Sequence, residues 1–262
     1  MTVALVDNRI DSTVVSALES LGYHTIAMPK CARLSEAVAS HPDMLMLMLG
    51  DTLLTEGGYL EEAGASFFEL GRLIPRLKIK TISEIFEPEY PHDCLLNALI
   101  IGKYLFCRKK SLSDAVKEFA NKRGLEIIDV KQGYPACTVL SVGNDRAITA
   151  DRGMAKAMQK VGIKVLLIDD GEIELPPHEY GFIGGASGVD DNKVYFIGDL
   201  TTHPCGKEIA DFCREASFEV ISLGRGKLRD LGRIIFIDSD GNDKYGEKQY
   251  SCKSEERIAD IH

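Results

Sequence analysis

A repeated unit of strands and one helix constrains this sequence more than any other feature. The apolar runs CTVLSV and RAITA flank a polar turn, and the same pattern returns at FIGGASGV and KVYFIG. The turn residues Asn144 and Asn192 lie 48 positions apart. Each hairpin is followed by an amphipathic helix and another strand, as in DRGMAKAMQKVG and KVLLID. The sequence therefore predicts five modules, which begin near Thr2, Asp51, Lys103, Arg146 and Lys193.

The alternative architecture is a two-domain α/β protein with parallel sheets, because alternating strands and helices alone would allow it. The tight hairpins at 142–146 and 189–193 argue against this alternative, since parallel strands need long crossover connections. We expect a single α/β propeller of five pseudo-fivefold ββαβ-type repeats over residues 1–238. The polar segment 239–262 is expected to form a C-terminal tail.

Composition disfavours several classes of protein. The 262 residues carry a net charge of −9, which argues against nucleic-acid binding. No apolar run approaches the ~20 residues that a membrane span needs, and the N-terminus lacks a signal-peptide pattern. The seven cysteines show no C-x-x-C spacing, and the six histidines are scattered. We expect a cytoplasmic protein with no metal, cofactor, membrane or nucleic acid, whose oligomeric state stays open.

Five ββαβ-like modules around a pseudo-fivefold axis resemble the pentein fold, which is the fold of guanidine-group-modifying enzymes. It includes arginine deiminases, dimethylarginine hydrolases, amidinotransferases and the ribosomal anti-association initiation factor 6. The segments PACTVLSVGNDRAITADRGMAKA and VLLIDDGEIELPPHEYGFIGGASG more specifically resemble an uncharacterised bacterial branch of that fold.

The pentein resemblance implies a ligand site at one mouth of the central channel, where strand starts and strand ends converge. It assigns ligand-binding roles on this chain to Asp93, Asn97, Arg108, Asp151, Arg152, Gly184 and Gly185. It also brings other polar residues to the same mouth, namely Cys137, Asp199, His203 and Asp230. Each of two of these residues also has a structural alternative. Asp151 directly precedes a helix, which is typical of a helix cap. Asn97 lies within an apolar strand run, where a buried polar side chain needs a hydrogen-bond partner.

The usual catalytic residues of hydrolytic penteins are missing at the positions that the resemblance indicates. Phe182 and Gly184 stand where that group has a His-x-Asp pair, and residues 229–232 contain no cysteine. The usual arginine deiminase chemistry is therefore unexpected. A glycine at position 184 is expected to leave open space at the mouth. A phosphate loop is disfavoured, because these glycines lie between two strands and not before a helix.

Cys137 is the predicted nucleophile and His203 the predicted base of a relocated site, with Asp199 as the orienting carboxylate. Cys137 is expected at a strand start pointing toward the channel, and His203 at a helix N-terminus before Pro204. The alternatives are a small buried core residue for Cys137 and a solvent-facing residue for His203.

Two functional hypotheses follow. In the first, the mouth binds a small polar nitrogenous ligand, guanidine-like or amide-like, and the chain is a Cys-dependent hydrolase or amidinotransferase-like enzyme. In the second, a non-catalytic scaffold binds a macromolecule through the propeller face, as the resemblance to the initiation factor 6 branch implies. Whether the chain is an enzyme stays open at this level.

Overall fold

A computed structural model describes residues 1–241 of the chain. Its strands, in chain order, are β1 (Thr2–Asp7), β2 (Tyr23–Met28), β3 (Met46–Leu49), β4 (Thr52–Glu56), β5 (Lys78–Ile82), β6 (Leu99–Ile101), β7 (Tyr104–Cys107), β8 (Glu126–Asp129), β9 (Val139–Val142), β10 (Arg146–Thr149), β11 (Lys164–Leu167), β12 (Ser187–Asp190), β13 (Lys193–Phe196), β14 (Glu219–Ser222) and β15 (Ile235–Ile237). Its helices are α1 (Ser12–Ser20), α2 (Pro42–Leu45), α3 (Gly57–Glu62), α4 (Gly64–Leu73), α5 (Asp114–Lys122), α6 (Pro135–Thr138), α7 (Arg152–Lys160) and α8 (Gly206–Glu215), with a 3₁₀ turn at Leu200–Thr202.

The strands form five sheets of three strands, and all five sheets have the same topology. In each sheet an inner strand pairs antiparallel with a middle strand, and the middle strand pairs parallel with an outer strand. One or two helices connect the middle strand to the outer strand, as a parallel crossover requires. The predicted five-module α/β architecture is confirmed. The middle strands begin at Thr2, Thr52, Tyr104, Arg146 and Lys193, within one residue of the predicted module starts.

The two ends of the repeat array meet in one sheet. The last strand, β15, pairs antiparallel with β1, so that Val3 lies opposite Ile237. The inner strands of the five sheets are therefore β3, β6, β9, β12 and β15. They are almost wholly buried and surround a central channel, while the helices cover the outside.

Local sequence signals explain where elements begin and turn. Asp151 caps α7, because its Oδ1 accepts hydrogen bonds from the Gly153 and Met154 amides at 2.6 and 2.9 Å. Gly143 has a φ of 74°, and Asp191 has a φ of 52° in the next hairpin turn. These left-handed conformations suit short hairpin turns.

The division of the chain at residue 238 stays a prediction, because residues 242–262 of the predicted tail lie outside the described residues. Within the described part, Arg76 forms an ion pair with Asp240 at 2.8 Å, just beyond the last strand. Among residues 1–241, no helix is long and apolar enough to cross a membrane.

Candidate functional site

The starts of the inner strands converge at one end of the channel and bring buried polar side chains together. Asn97 lies in the middle of this group. Its amide nitrogen donates hydrogen bonds to the Asp43 carbonyl at 3.0 Å and to the Cys137 sulfur at 3.1 Å. Its amide oxygen accepts a hydrogen bond from the Ala136 backbone at 2.9 Å. Asn97 therefore joins the chain segments before β3, β6 and β9, and the hydrogen bonds to protein groups fit the structural interpretation of this residue.

The glycines at 184 and 185 allow a close approach of backbones, and they do not leave open space. The Gly185 amide donates a hydrogen bond to the Cys137 carbonyl at 2.8 Å. A β-carbon at Gly184 would lie 2.3 Å from the Ala136 carbonyl oxygen, and one at Gly185 would lie 1.9 Å from an oxygen of Asp230. The expectation of an opened mouth at Gly184 was therefore wrong, because neighbouring backbone fills that space.

Asp230 is buried beneath this glycine segment. Its two oxygens accept hydrogen bonds from the Phe182 amide at 2.9 Å and the Gly232 amide at 3.1 Å. Burial, followed by the nearby charge of Asp43, raises the pKa of Asp230 to about 7. Burial therefore favours the protonated form of this carboxyl group.

Asp43 is the second buried carboxylate of the cluster, and it was not among the predicted site residues. It lies in the one-turn helix α2 directly before β3, and it is only 3% exposed. The Cys137 thiol lies beside the carboxylate, but neither oxygen of Asp43 has a hydrogen bond of normal geometry. Burial raises the pKa of Asp43 to about 6, although the Cys137 thiol and the charge of Arg233 oppose the shift.

His41 was also missed, and it completes the buried cluster. Its Nε2 lies 3.8 Å from Asp7 Oδ2 and its Nδ1 lies 3.9 Å from Asp230 Oδ1, with no hydrogen bond at either nitrogen. Burial lowers the pKa of His41 to about 3, so the ring is neutral. Asp7 is neutralised separately by Arg9 at 2.6 Å. One sequence signal does indicate both residues. The polar stretch HPD comes directly before the apolar run MLMLML, which contains β3.

Cys137 lies in the one-turn helix α6, two residues before β9, the strand at whose start it was expected. Its side chain is buried, and burial together with the charges of Asp43 and Asp230 raises the pKa of the thiol well above its usual value. At neutral pH the group is therefore a thiol and not a thiolate. Its role as a nucleophile stays a prediction.

His203 does not begin a helix and does not face solvent, so both expectations for its position were wrong. It follows the 3₁₀ turn at Leu200–Thr202, and α8 begins only at Gly206. The side chain is buried, its Nδ1 accepts a hydrogen bond from the Cys205 amide at 3.1 Å, and burial lowers its pKa. Asp199 instead accepts hydrogen bonds from the Thr201 amide and hydroxyl.

The predicted catalytic trio therefore has no direct connection. Within residues 1–241, no hydrogen bond joins His203 to either Cys137 or Asp199. The charges that act on the His203 ring are instead those of Glu172 and Asp169.

Those two carboxylates belong to an acidic pocket of about 300 Å³. Its charged lining residues are Asp151, Asp169, Asp170 and Glu172, and Gly181–Ile183 form part of its wall. Glu172 is paired with Lys227 at 3.1 Å, and the second oxygen of Asp151 accepts a hydrogen bond from Gln132 at 2.8 Å. Asp169 and Asp170 are exposed and have no ion pair within the described chain. The pocket therefore has uncompensated negative charge.

Asp93 and Arg108 contact lining residues of a neighbouring open pocket of about 430 Å³, which shares Gln132 and Asp151 with the acidic one. Asp93 accepts a hydrogen bond from the Tyr134 hydroxyl at 2.7 Å, and burial raises the pKa of Asp93. The Arg108 guanidinium lies 5.0 Å from the centre of the Tyr90 ring. Tyr90 and Tyr134 both line this pocket. Arg152 is exposed at the first position of α7.

Comparison with solved structures identifies the fold. A dimethylarginine dimethylaminohydrolase from Pseudomonas aeruginosa, complexed with citrulline, superposes with a TM-score of 0.52 and 11% identity, covering 85% of this chain and 91% of that chain. A dimethylarginine dimethylaminohydrolase carrying S-methyl-L-thiocitrulline superposes with a TM-score of 0.53 and 12% identity over the same shares. The chain has the pentein fold.

The family is shown by the sequence itself. The chain belongs to the family of unknown function DUF6873, whose sequence profile matches residues 5–235. No curated protein matches the chain by sequence. The family description assigns no activity.

Proposed function

We propose that this protein binds a small cationic nitrogen compound, guanidinium-like or amine-like, in the acidic pocket beside the channel mouth. The observation that carries the proposal is the set of four carboxylates around one cavity of about 300 Å³. Two of them, Asp169 and Asp170, have no ion pair within residues 1–241 to neutralise them. A net charge of −9 on the whole chain also raises the local concentration of cations.

The rest of the pocket suits a flat polar ligand. Tyr180 and Phe182 line it, and the faces of aromatic rings attract cations. The citrulline and S-methyl-L-thiocitrulline bound to the two proteins of the same fold are small polar nitrogen compounds. They support a ligand of this size. Hydrolysis by Cys137 would require a thiolate, which its buried environment disfavours, so binding is the function that the geometry supports best.

Isothermal titration of methylguanidine and of neutral methylurea tests the proposal, because the two probes are similar in size and differ in charge. We expect saturable binding of methylguanidine that weakens as salt rises, and much weaker binding of methylurea. The double substitution Asp169→Asn with Asp170→Asn should weaken methylguanidine binding about tenfold or more, since two charges are lost.

The matched control is Glu118→Gln with Glu126→Gln, which removes two exposed carboxylates from another part of the surface. It should leave methylguanidine binding within about twofold of the parent, because long-range charge is screened. Equal binding of both probes, or equal weakening by the control, would contradict the proposal. If neither probe binds, the competing prediction of a macromolecule-binding scaffold becomes the hypothesis to pursue.

A further inference from the structure

Helix α4 carries the most exposed large apolar side chain of the described residues. Phe68 is 77% exposed on the outward side of α4, whereas Phe67 and Leu70 are buried in the core. Gly64 and Ala65 lie one turn before Phe68 on the same side of the helix, and both are exposed. A β-carbon at Gly64 would meet no atom within 4 Å. The outward side of α4 is therefore an aromatic ring beside a flat surface, and nothing within residues 1–241 covers it.

Opposite charges lie at the two ends of this exposed face. Glu61 lies near the end of α3, about two turns before Phe68, because a single residue separates α3 from α4. Arg72 lies one turn after Phe68. Both charged side chains are exposed, and neither has an ion pair within residues 1–241, whereas neighbouring Glu62 is paired with Arg33. The face therefore has a negative end, an apolar centre and a positive end.

A second copy of the same chain matches this face in charge and in shape. A twofold axis places two identical faces antiparallel, so that the negative end of each meets the positive end of the other. An axis midway between positions 61 and 72 brings Glu61 of each copy to Arg72 of the other. Positions 65 and 68 have the same midpoint, so the axis also places each Phe68 ring against Gly64 and Ala65 of the other copy. One axis therefore pairs the charges and covers the rings together.

We propose that the exposed face of α3 and α4 is a self-association surface, through which two copies of this chain form an antiparallel helix pair. The face is complementary to itself, which favours a second copy over a protein of another kind. The charges set the orientation of the two helices, and burial of the two Phe68 rings supplies most of the affinity. One helix pair covers less than the standard interface of about 1,600 Å², so we expect a Kd of about 1–100 µM.

Sedimentation velocity of the full chain over concentrations of about 1–300 µM tests this surface. We expect the sedimentation coefficient to rise from that of one chain to that of two. Phe68→Ser should raise the Kd about 100-fold or more, because each dimer loses two buried rings. Leu167→Ser is the matched control, because Leu167 is a 42% exposed apolar side chain on β11, in another module. It should leave the Kd within about twofold of the parent.

Exchange of the two charges distinguishes the antiparallel pair from unspecific apolar contact. Glu61→Arg alone and Arg72→Glu alone should each weaken association about fivefold or more, because each variant brings like charges together at both ends of the dimer. The double variant E61R with R72E restores opposite charges and should return the Kd to within about twofold of the parent. Thermal unfolding of each variant confirms that it is folded.

Three results would overturn the proposal. The first is a parent protein that stays monomeric up to about 300 µM, which would leave this face to a partner of another kind or to solvent. The second is a dimer whose Kd is unchanged in Phe68→Ser. The third is a double charge variant that associates no better than the two single variants.

Discussion

Replacement of Asp43 by asparagine is expected to stabilise the protein at alkaline pH. The substitution preserves the shape of the side chain and removes a buried charge whose oxygens have no hydrogen bond of normal geometry. Most substitutions of buried residues destabilise a protein, so a gain in stability here would be specific evidence for an unfavourable native charge.

The magnitude follows from the pKa of Asp43, which is raised from 3.8 to about 6. A shift of about two units corresponds to about 3 kcal/mol. A buried asparagine amide without partners keeps a cost of about 1–2 kcal/mol, so the net gain should be about 1–2 kcal/mol. Because the folded pKa lies above the unfolded one, this carboxyl favours folding below about pH 4 and loses that contribution as pH rises through about 6.

The assay is chemical unfolding of the parent and Asp43→Asn proteins at pH 4.5 and pH 8. The gain should be present at pH 8 and nearly absent at pH 4.5, where both side chains are neutral in the folded state. The lowered pKa of His41 makes the stability of the folded protein rise with pH, which is opposite to the effect of Asp43. Because His41 is present in both proteins, its contribution cancels in the difference between their free energies of unfolding. Thermal unfolding at pH 8 should show a rise of about 2–8 °C.

Asp211→Asn is the control, because Asp211 is a half-exposed carboxylate on the surface of α8 whose pKa is lowered by Lys207. It should give no stabilisation at pH 8. If Asp43→Asn is destabilised at both pH values, or if its gain is the same at both, the carboxylate is not an unpaired buried charge and the reasoning is refuted.

Three further predictions concern the residues around the cluster. Gly185→Ala should destabilise the protein by about 3 kcal/mol, because the new β-carbon would lie 1.9 Å from an oxygen of Asp230. Gly64→Ala should be tolerated, because no atom lies within 4 Å of the new β-carbon. Chemical unfolding measures the free energy of unfolding of both variants. Cys137 should react with iodoacetamide at pH 7.5 far more slowly in the native protein than after unfolding. The less buried Cys205 should react sooner than Cys137 in the native protein. Rapid, selective labelling of Cys137, detected by peptide mapping, would instead support the nucleophile prediction. Asp151→Ala should cost about 1 kcal/mol through loss of the α7 cap and Asp151→Ser much less, measured by thermal unfolding; equal losses would exclude a capping role.

The module boundaries could be predicted because they depend on local signals. Hairpin turns such as the one at Asn144, and helix caps such as Asp151, act within a few residues of the chain. The pentein resemblance placed Asn97 and Cys137 together at the channel mouth, and in the structure the Asn97 amide nitrogen lies 3.1 Å from the Cys137 sulfur. Asp43 occupies the same place in its own module, in the one-turn helix directly before β3, but it was not among the predicted residues.

The pairing of His203 with Cys137 illustrates what such reasoning could not decide. Both residues were chosen for their chemistry, but the direction of each side chain depends on short turns, the 3₁₀ turn before His203 and the helix α6 at Cys137. The role of the glycines changed for a similar reason. In the sequence, Gly185 is only a position without a side chain. In the structure, the missing side chain makes room for Asp230, a residue 45 positions later.

The sequence by itself determined the five-module architecture, because periodic apolar runs, turns and caps are local properties that each repeat carries. Only the tertiary structure decided the composition of the site. Asp43, Cys137 and Asp230 are separated by about a hundred residues each, and their pKa values are set by burial and by one another. These effects depend on distances in space, which five converging strand starts create and which no spacing along the chain encodes.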